Sequence, residues 1–78
     1  MNTNTINLDV RTLHEDAKCR ATIFENWEKI KPGQTLRITN NHDPQPLRGR
    51  FEKIFPNQFG WEYELRGPEI WIVRITKR

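Results

Sequence analysis

The sequence predicts an α/β (α+β) fold in the order β-α-β-α-β-β, and three observations carry that expectation. Period-two alternation recurs over Thr5 to Val10, Thr35 to Thr39 and Phe59 to Leu65. Two segments at helical spacing separate these runs, and the chain closes on an apolar run, Ile70 to Ile75, behind a turn. With 78 residues, 35% of them hydrophobic, this is one domain over residues 1–78, with residues 1–4 as a loose tail and a core barely large enough to stand alone.

Ile6, Leu8 and Val10 alternate with Thr5, Asn7 and Asp9, the pattern of a half-buried first strand. Thr12-Leu13-His14-Glu15 has the Thr-x-x-Glu form in which both side chains satisfy free N–H groups of a first helical turn, so a helix starts there. Ala17, Ala21, Phe24, Trp27 and Ile30 draw one apolar stripe, which Ile23 widens. The helix is expected to run to about Lys31, where Pro32-Gly33 stops it. Leu36 and Ile38 mark a second strand. Strand, helix, strand is a right-handed crossover joining parallel strands, so both strands end on the same edge of the sheet.

The loop Asn40-Asn41-His42-Asp43-Pro44-Gln45-Pro46 follows, and Leu47, Phe51, Ile54 and Phe55 lie at helical spacing behind it. A short second helix is predicted, weakened by Gly49 and ended by Pro56-Asn57. Phe59, Trp61, Tyr63 and Leu65 then pair across Arg66-Gly67-Pro68 with the closing run, as a hairpin. Ile70 to Ile75 is apolar on both faces, which reads as a central strand.

Composition excludes several functions. No apolar run reaches the ~18 residues of a membrane span, and Met1-Asn2-Thr3-Asn4-Thr5 has neither basic flank nor apolar segment of a secretory signal. One Cys precludes an intrachain disulfide, which makes the cytoplasm the expected compartment. The absence of Ser removes serine nucleophiles. Thirteen basic against ten acidic residues give a net charge of +3 without a basic arm. Arg48, Arg50 and Lys53 are the only local concentration, with Glu52 among them, and read as a solvated helix face. Nucleic acid is therefore not the expected partner: Glu62, Glu64 and Glu69 flank the aromatics that an RNA-binding sheet would need.

Several segments together resemble a known family: Leu8-Asp9-Val10-Arg11, Ile23-Phe24, Lys31-Pro32-Gly33, Asn41-His42-Asp43-Pro44 with Pro46-Leu47, Phe59-Gly60-Trp61-Glu62-Tyr63, and Gly67-Pro68 with Trp71 before Val73-Arg74-Ile75. They resemble domain-of-unknown-function family 2249, within the TusA/SirA-like superfamily of small sulfur-carrier folds, over nearly the whole chain. The resemblance implies a two-layer sandwich, with two helices on one face of a four-stranded mixed sheet in the order one, two, four, three. Members occur alone or attached to hemerythrin-like and other metal-binding domains. Sulfur carriers of the wider fold have a Cys-Pro pair at the start of helix one. Here those positions fall near His14-Glu15-Asp16, so the carrier Cys is absent, and Lys18-Cys19 stands where the subfamily has Arg-His.

The shared strand edge brings His14, Cys19, His42 and Asp43 forward as one cluster of ligand candidates. Thiolate and imidazole suit a transition metal, zinc or iron foremost, although a closed zinc site wants four ligands and this spacing matches no ligand motif. Each residue also has a structural explanation. Cys19 packs beside the apolar face; Asp43 caps helix two, with Pro44 at its first position; His42 fixes its loop through a hydrogen bond; His14 points to solvent from the capping box. A two-layer fold leaves one sheet face without helices, onto which strand four must turn either Ile70 and Ile72 or Trp71, Val73 and Ile75. An exposed apolar patch of that kind favours a protein partner or a homodimer.

Two functions of different classes follow. The first is a small accessory domain, not an enzyme, that binds a partner protein and a metal or small ligand at the edge holding Cys19 and His42. The alternative is a redox or sulfur-transfer component with Cys19 as the thiolate nucleophile.

Overall fold

The computed structural model describes residues 4–11 and 16–78. The elements are β1 (Thr5–Asp9), α1 (Asp16–Lys29), β2 (Thr35–Asn40), α2 (Gln45–Ile54), β3 (Phe59–Arg66) and β4 (Trp71–Lys77). The capping box at Thr12 to Glu15 and the tail residues 1–3 lie outside the described residues. Helix α1 ends two residues before the expected Lys31. A residue preceding proline disfavours helical dihedrals, and the Lys31 N–H is taken by Gln34 Oε1 at 2.6 Å while Gln34 N–H returns to the Lys31 carbonyl at 2.9 Å.

The four strands form one sheet in the order β1-β2-β4-β3. β1 runs parallel to β2, and β4 is antiparallel to both β2 and β3, so the closing strand is central, as its apolar run predicts. Register fixes the two faces. Leu36 pairs with Ile75 and Ile38 with Val73, all four fully buried, and Ile6 and Leu8 join them across from Leu36 and Ile38. Both helices cover this face: Phe24 stacks on Phe51 at 5.2 Å, and Trp27 meets Phe51 edge-on at 5.0 Å. Phe51 also touches Phe55 and, from β3, Phe59.

The stripe on α1 is rotated from the one the sequence suggests. Ile23, Trp27 and Ile30 are its buried members, Phe24 is half-buried and Ala21 is exposed. Spacings of four and three between Ile23, Trp27 and Ile30 serve the core as well as the stripe drawn through Ala21, and the larger side chains prevail because they remove more apolar surface from water. On α2 and just beyond it, Leu47, Phe51 and Phe55 recur every four residues toward the core, which turns Ile54 outward and leaves it 55% exposed.

The helix-free face is polar. It presents Asn7, Arg37, Thr39, Glu62, Arg74 and Thr76 in register across the four strands, and Glu64 from the bulge of β3 through its ion pairs. Arg37 and Arg74 both reach Glu64, at 2.6 and 3.4 Å, and Arg37 holds the Glu64 carboxyl below the usual carboxylate range. Its large apolar members are half-buried Ile72 and, displaced onto this face by a bulge after Tyr63, its partner Leu65. Trp71, Ile70 and Ile72 therefore do not make one face. Trp71 shares the helix side with Val73, Ile72 is on the open side, and Ile70, 37% exposed, belongs to the turn, where its carbonyl accepts the Gly67 N–H.

Candidate functional site

The C-terminal end of β2 is where the two helices leave space. Asn40 ends the strand and lies 9% exposed; Asn41, His42 and Asp43 then lead to α2. Proline shapes this approach. Pro44 is the N-cap residue and is buried, and Pro46 stands in the first turn, where its missing N–H costs nothing. The expectation of Asp43 as N-cap with Pro44 behind it is thus off by one position. Asp43 sits just outside the helix and instead closes a two-residue loop, its Oδ1 accepting the Gln45 N–H at 3.1 Å.

The same Oδ1 accepts the Tyr63 hydroxyl at 2.7 Å, which ties the start of α2 to β3. Burial first, and then the Asp43 carboxylate, raise the Tyr63 phenol above its usual range. A phenol whose pKa is higher folded than unfolded stabilises the fold fully below its unfolded value, about 10, and that contribution is lost as pH rises through the folded value. Tyr63→Phe should cost about 1 kcal/mol at neutral pH and flatten the alkaline decline of stability. Urea unfolding of both proteins between neutral and strongly alkaline pH checks this; identical alkaline profiles would show that the hydrogen bond does not stabilise the loop.

Between α1, α2 and the end of β2 lies a cleft of ≈ 200 Å³. Helix α1 lines it with Cys19, Arg20 and Ile23, the β2–α2 connection with Asn40, His42 and Pro44, and α2 with Pro46, Leu47 and Arg50. Cys19 and His42, two of the four candidate ligands, therefore open onto the same space. Asp43 does not line it, and His14 lies outside the described residues. Cys19 is half-buried and its thiol donates to the Val10 carbonyl at 3.8 Å. His42 is exposed and its Nδ1 lies 3.0 Å from Asn41 Oδ1.

Among the described residues no group of three or more His, Cys, Asp and Glu side chains converges to hold a metal ion. Cys19 and His42 supply two donors to the cleft where a closed zinc site takes four. Among the described residues, these two donors by themselves do not make a closed zinc centre.

Arg20 and Arg50 are the cleft residues that sequence reasoning missed. By sequence Arg50 belongs with Arg48 and Lys53, yet Arg48 pairs with Glu52 at 3.1 Å along α2 while Arg50 lines the cleft. The usable signal is local: Arg20 precedes buried Ile23 by three residues and Arg50 follows buried Leu47 by three, so each shares a helix face with a core residue. A second, more open groove of ≈ 520 Å³ beside Phe59 and Trp61 contains Arg48 and Glu52, already paired with each other.

No helix among the described residues is long and apolar enough to cross a membrane. Comparison with curated proteins and with solved structures finds no match for this chain. The family described as "Uncharacterized conserved protein (DUF2249)" matches residues 7–77, nearly the full length and every element from β1 to β4, and the chain belongs to that family.

Proposed function

We propose that this chain is a small non-catalytic binding domain of the TusA/SirA-like kind, accessory to a partner protein, and that it takes a small ligand in the cleft between α1, α2 and the end of β2. The observation that supports this reading is the composition of that cleft. An apolar floor of Ile23, Leu47 and Pro44 is rimmed by a few convergent polar groups from Cys19, Asn40 and His42, the usual make-up of a small-molecule site. Its place also fits, because ligands of open α/β sheets collect beyond the carboxyl ends of parallel strands, and β1 and β2 both end here.

Redox or sulfur-transfer chemistry at Cys19 is the weaker reading. Its thiol faces a carbonyl acceptor, which suits S–H and would repel a thiolate. One experiment separates the two. Small-fragment binders should lose their affinity once Cys19 is alkylated with N-ethylmaleimide, which fills the cleft, and keep it in Cys19→Ser, which leaves the cleft open. Binders indifferent to alkylation would place the site elsewhere. Persulfide formation on the wild-type thiol after incubation with a cysteine desulfurase and cysteine as sulfur donor, read by intact mass and absent from Cys19→Ser, would favour the sulfur-transfer reading.

A further inference from the structure

The geometry points to a small organic anion as the ligand of this cleft, a carboxylate or phosphate monoester on a compact apolar body, held by Arg20 and Arg50. The inference rests on the cleft being a binding site and adds the chemistry of what enters it. Most arginines of the sheet and of α2 are spoken for: Arg37 and Arg74 share Glu64, and Arg48 has Glu52. Arg20 and Arg50 have no ion-pair or hydrogen-bond partner among the described residues, and they reach one cleft from two different helices.

Among the described residues no carboxylate lines that cleft. Asp43, the nearest in sequence to its lining, is turned to Tyr63 and the Gln45 N–H. A second observation is independent of charge. Asn40 is 9% exposed and uses its Oδ1 to accept the Asn41 N–H, so its amide N–H groups, without an acceptor among the described residues, remain for a ligand in the cleft it lines. Two guanidinium forks and the Asn40 amide donor match the oxygens of a carboxylate or phosphate, which guanidinium groups bind through paired hydrogen bonds. Ile23 and Leu47 beneath them suit a small hydrophobic body. At ≈ 200 Å³ the space falls below the roughly 300–1,000 Å³ of drug-sized pockets, which limits the ligand to about the size of one substituted ring.

Calorimetric titration of the intact 78-residue protein with benzoate, phenyl phosphate, neutral benzamide and inorganic phosphate tests this. Benzoate or phenyl phosphate should bind at least about tenfold more tightly than benzamide and weaken with added salt; the tighter of the two identifies the oxyanion. Arg20→Gln and Arg50→Gln should each weaken the anion about fivefold or more and leave benzamide unchanged. Arg50 is exposed and Arg20 half-buried at the cleft, and glutamine keeps the stem of each, so the variants should melt close to the wild type. Equal affinity for benzamide and the anions would overturn the anion assignment while the binding cleft stands. Inorganic phosphate binding as well as phenyl phosphate would overturn the organic part of it. Absence of binding by all four probes at millimolar concentration would overturn both this assignment and the binding site beneath it.

Discussion

Trp27→Ala should destabilise the protein by ~3–5 kcal/mol, the usual cost of removing a buried large aromatic. The indole is 1% exposed, meets Phe51 edge-on at 5.0 Å and lies 5.8 Å from Phe55, so with Phe24 it joins α1 to α2 in one core. Lys77 reinforces the same place. Its ammonium sits 5.4 Å over the Trp27 ring and donates to the carbonyls of Trp27 and Ile30 at 2.9 and 3.0 Å, which satisfies the open end of α1 from β4. Truncation leaves a cavity beneath that cation and loosens the helix from the sheet at once. A domain of this size has of order 5–15 kcal/mol in total, so the variant should be largely unfolded near its former melting temperature, with a midpoint lower by at least about 12 °C. Urea unfolding within ~0.5 kcal/mol of wild type, the range of surface changes, would remove Trp27 from the core.

Gly67→Ala is the second large effect, at roughly 2–3 kcal/mol. Gly67 has φ +64°, a left-handed conformation that costs a side-chain-bearing residue about 1–2 kcal/mol. Space is the larger obstacle. A Cβ at this position would lie 2.6 Å from Cε2 and Cζ2 of the Trp71 indole and 2.9 Å from its Nε1. The ring would have to leave both its edge contact with Tyr63 at 6.4 Å and its hydrogen bond to the Pro68 carbonyl at 3.3 Å. Trp71 pairs with Asn40 across β2 and β4, so the disturbance begins next to the cleft. Chemical denaturation measures the loss, and a stability equal to wild type would mean that the indole moves aside freely and does not pin the turn.

The period of the sequence carried the order of elements and the central place of β4, because alternation and helical spacing are set by the same face that becomes the core. The sequence leaves the side of β4 that faces away from the helices open between two parities, for a specific reason. In Ile70 to Ile75 both parities begin with an isoleucine or tryptophan, and the polarity that decides between them comes only with Arg74 and Thr76, which share a face with Ile72. Leu65 was read with Tyr63 by alternation, but the bulge between them reverses its side, and no local pattern announces a bulge. At the candidate site, the crossover argument did bring Cys19 and His42 to one place. Asp43-Pro44 looked like a cap and first helical residue, whereas a second proline at Pro46 moves the helix start by one position. Arg20 and Arg50 stayed hidden because a charge count assigns no direction to a side chain. Only the packing of α1 on α2 makes two residues thirty positions apart line one cleft.

Whether this domain acts through the cleft at the end of β2 can be read from an amide-shift map of the ¹⁵N-labelled protein titrated with phenyl phosphate. Shifts should concentrate at Cys19, Arg20, Ile23, Asn40, His42, Leu47 and Arg50 and saturate together, with the polar sheet face around Arg37, Glu64 and Arg74 unchanged. Shifts confined to that open face, or to the groove beside Phe59 and Trp61, would contradict action through the cleft.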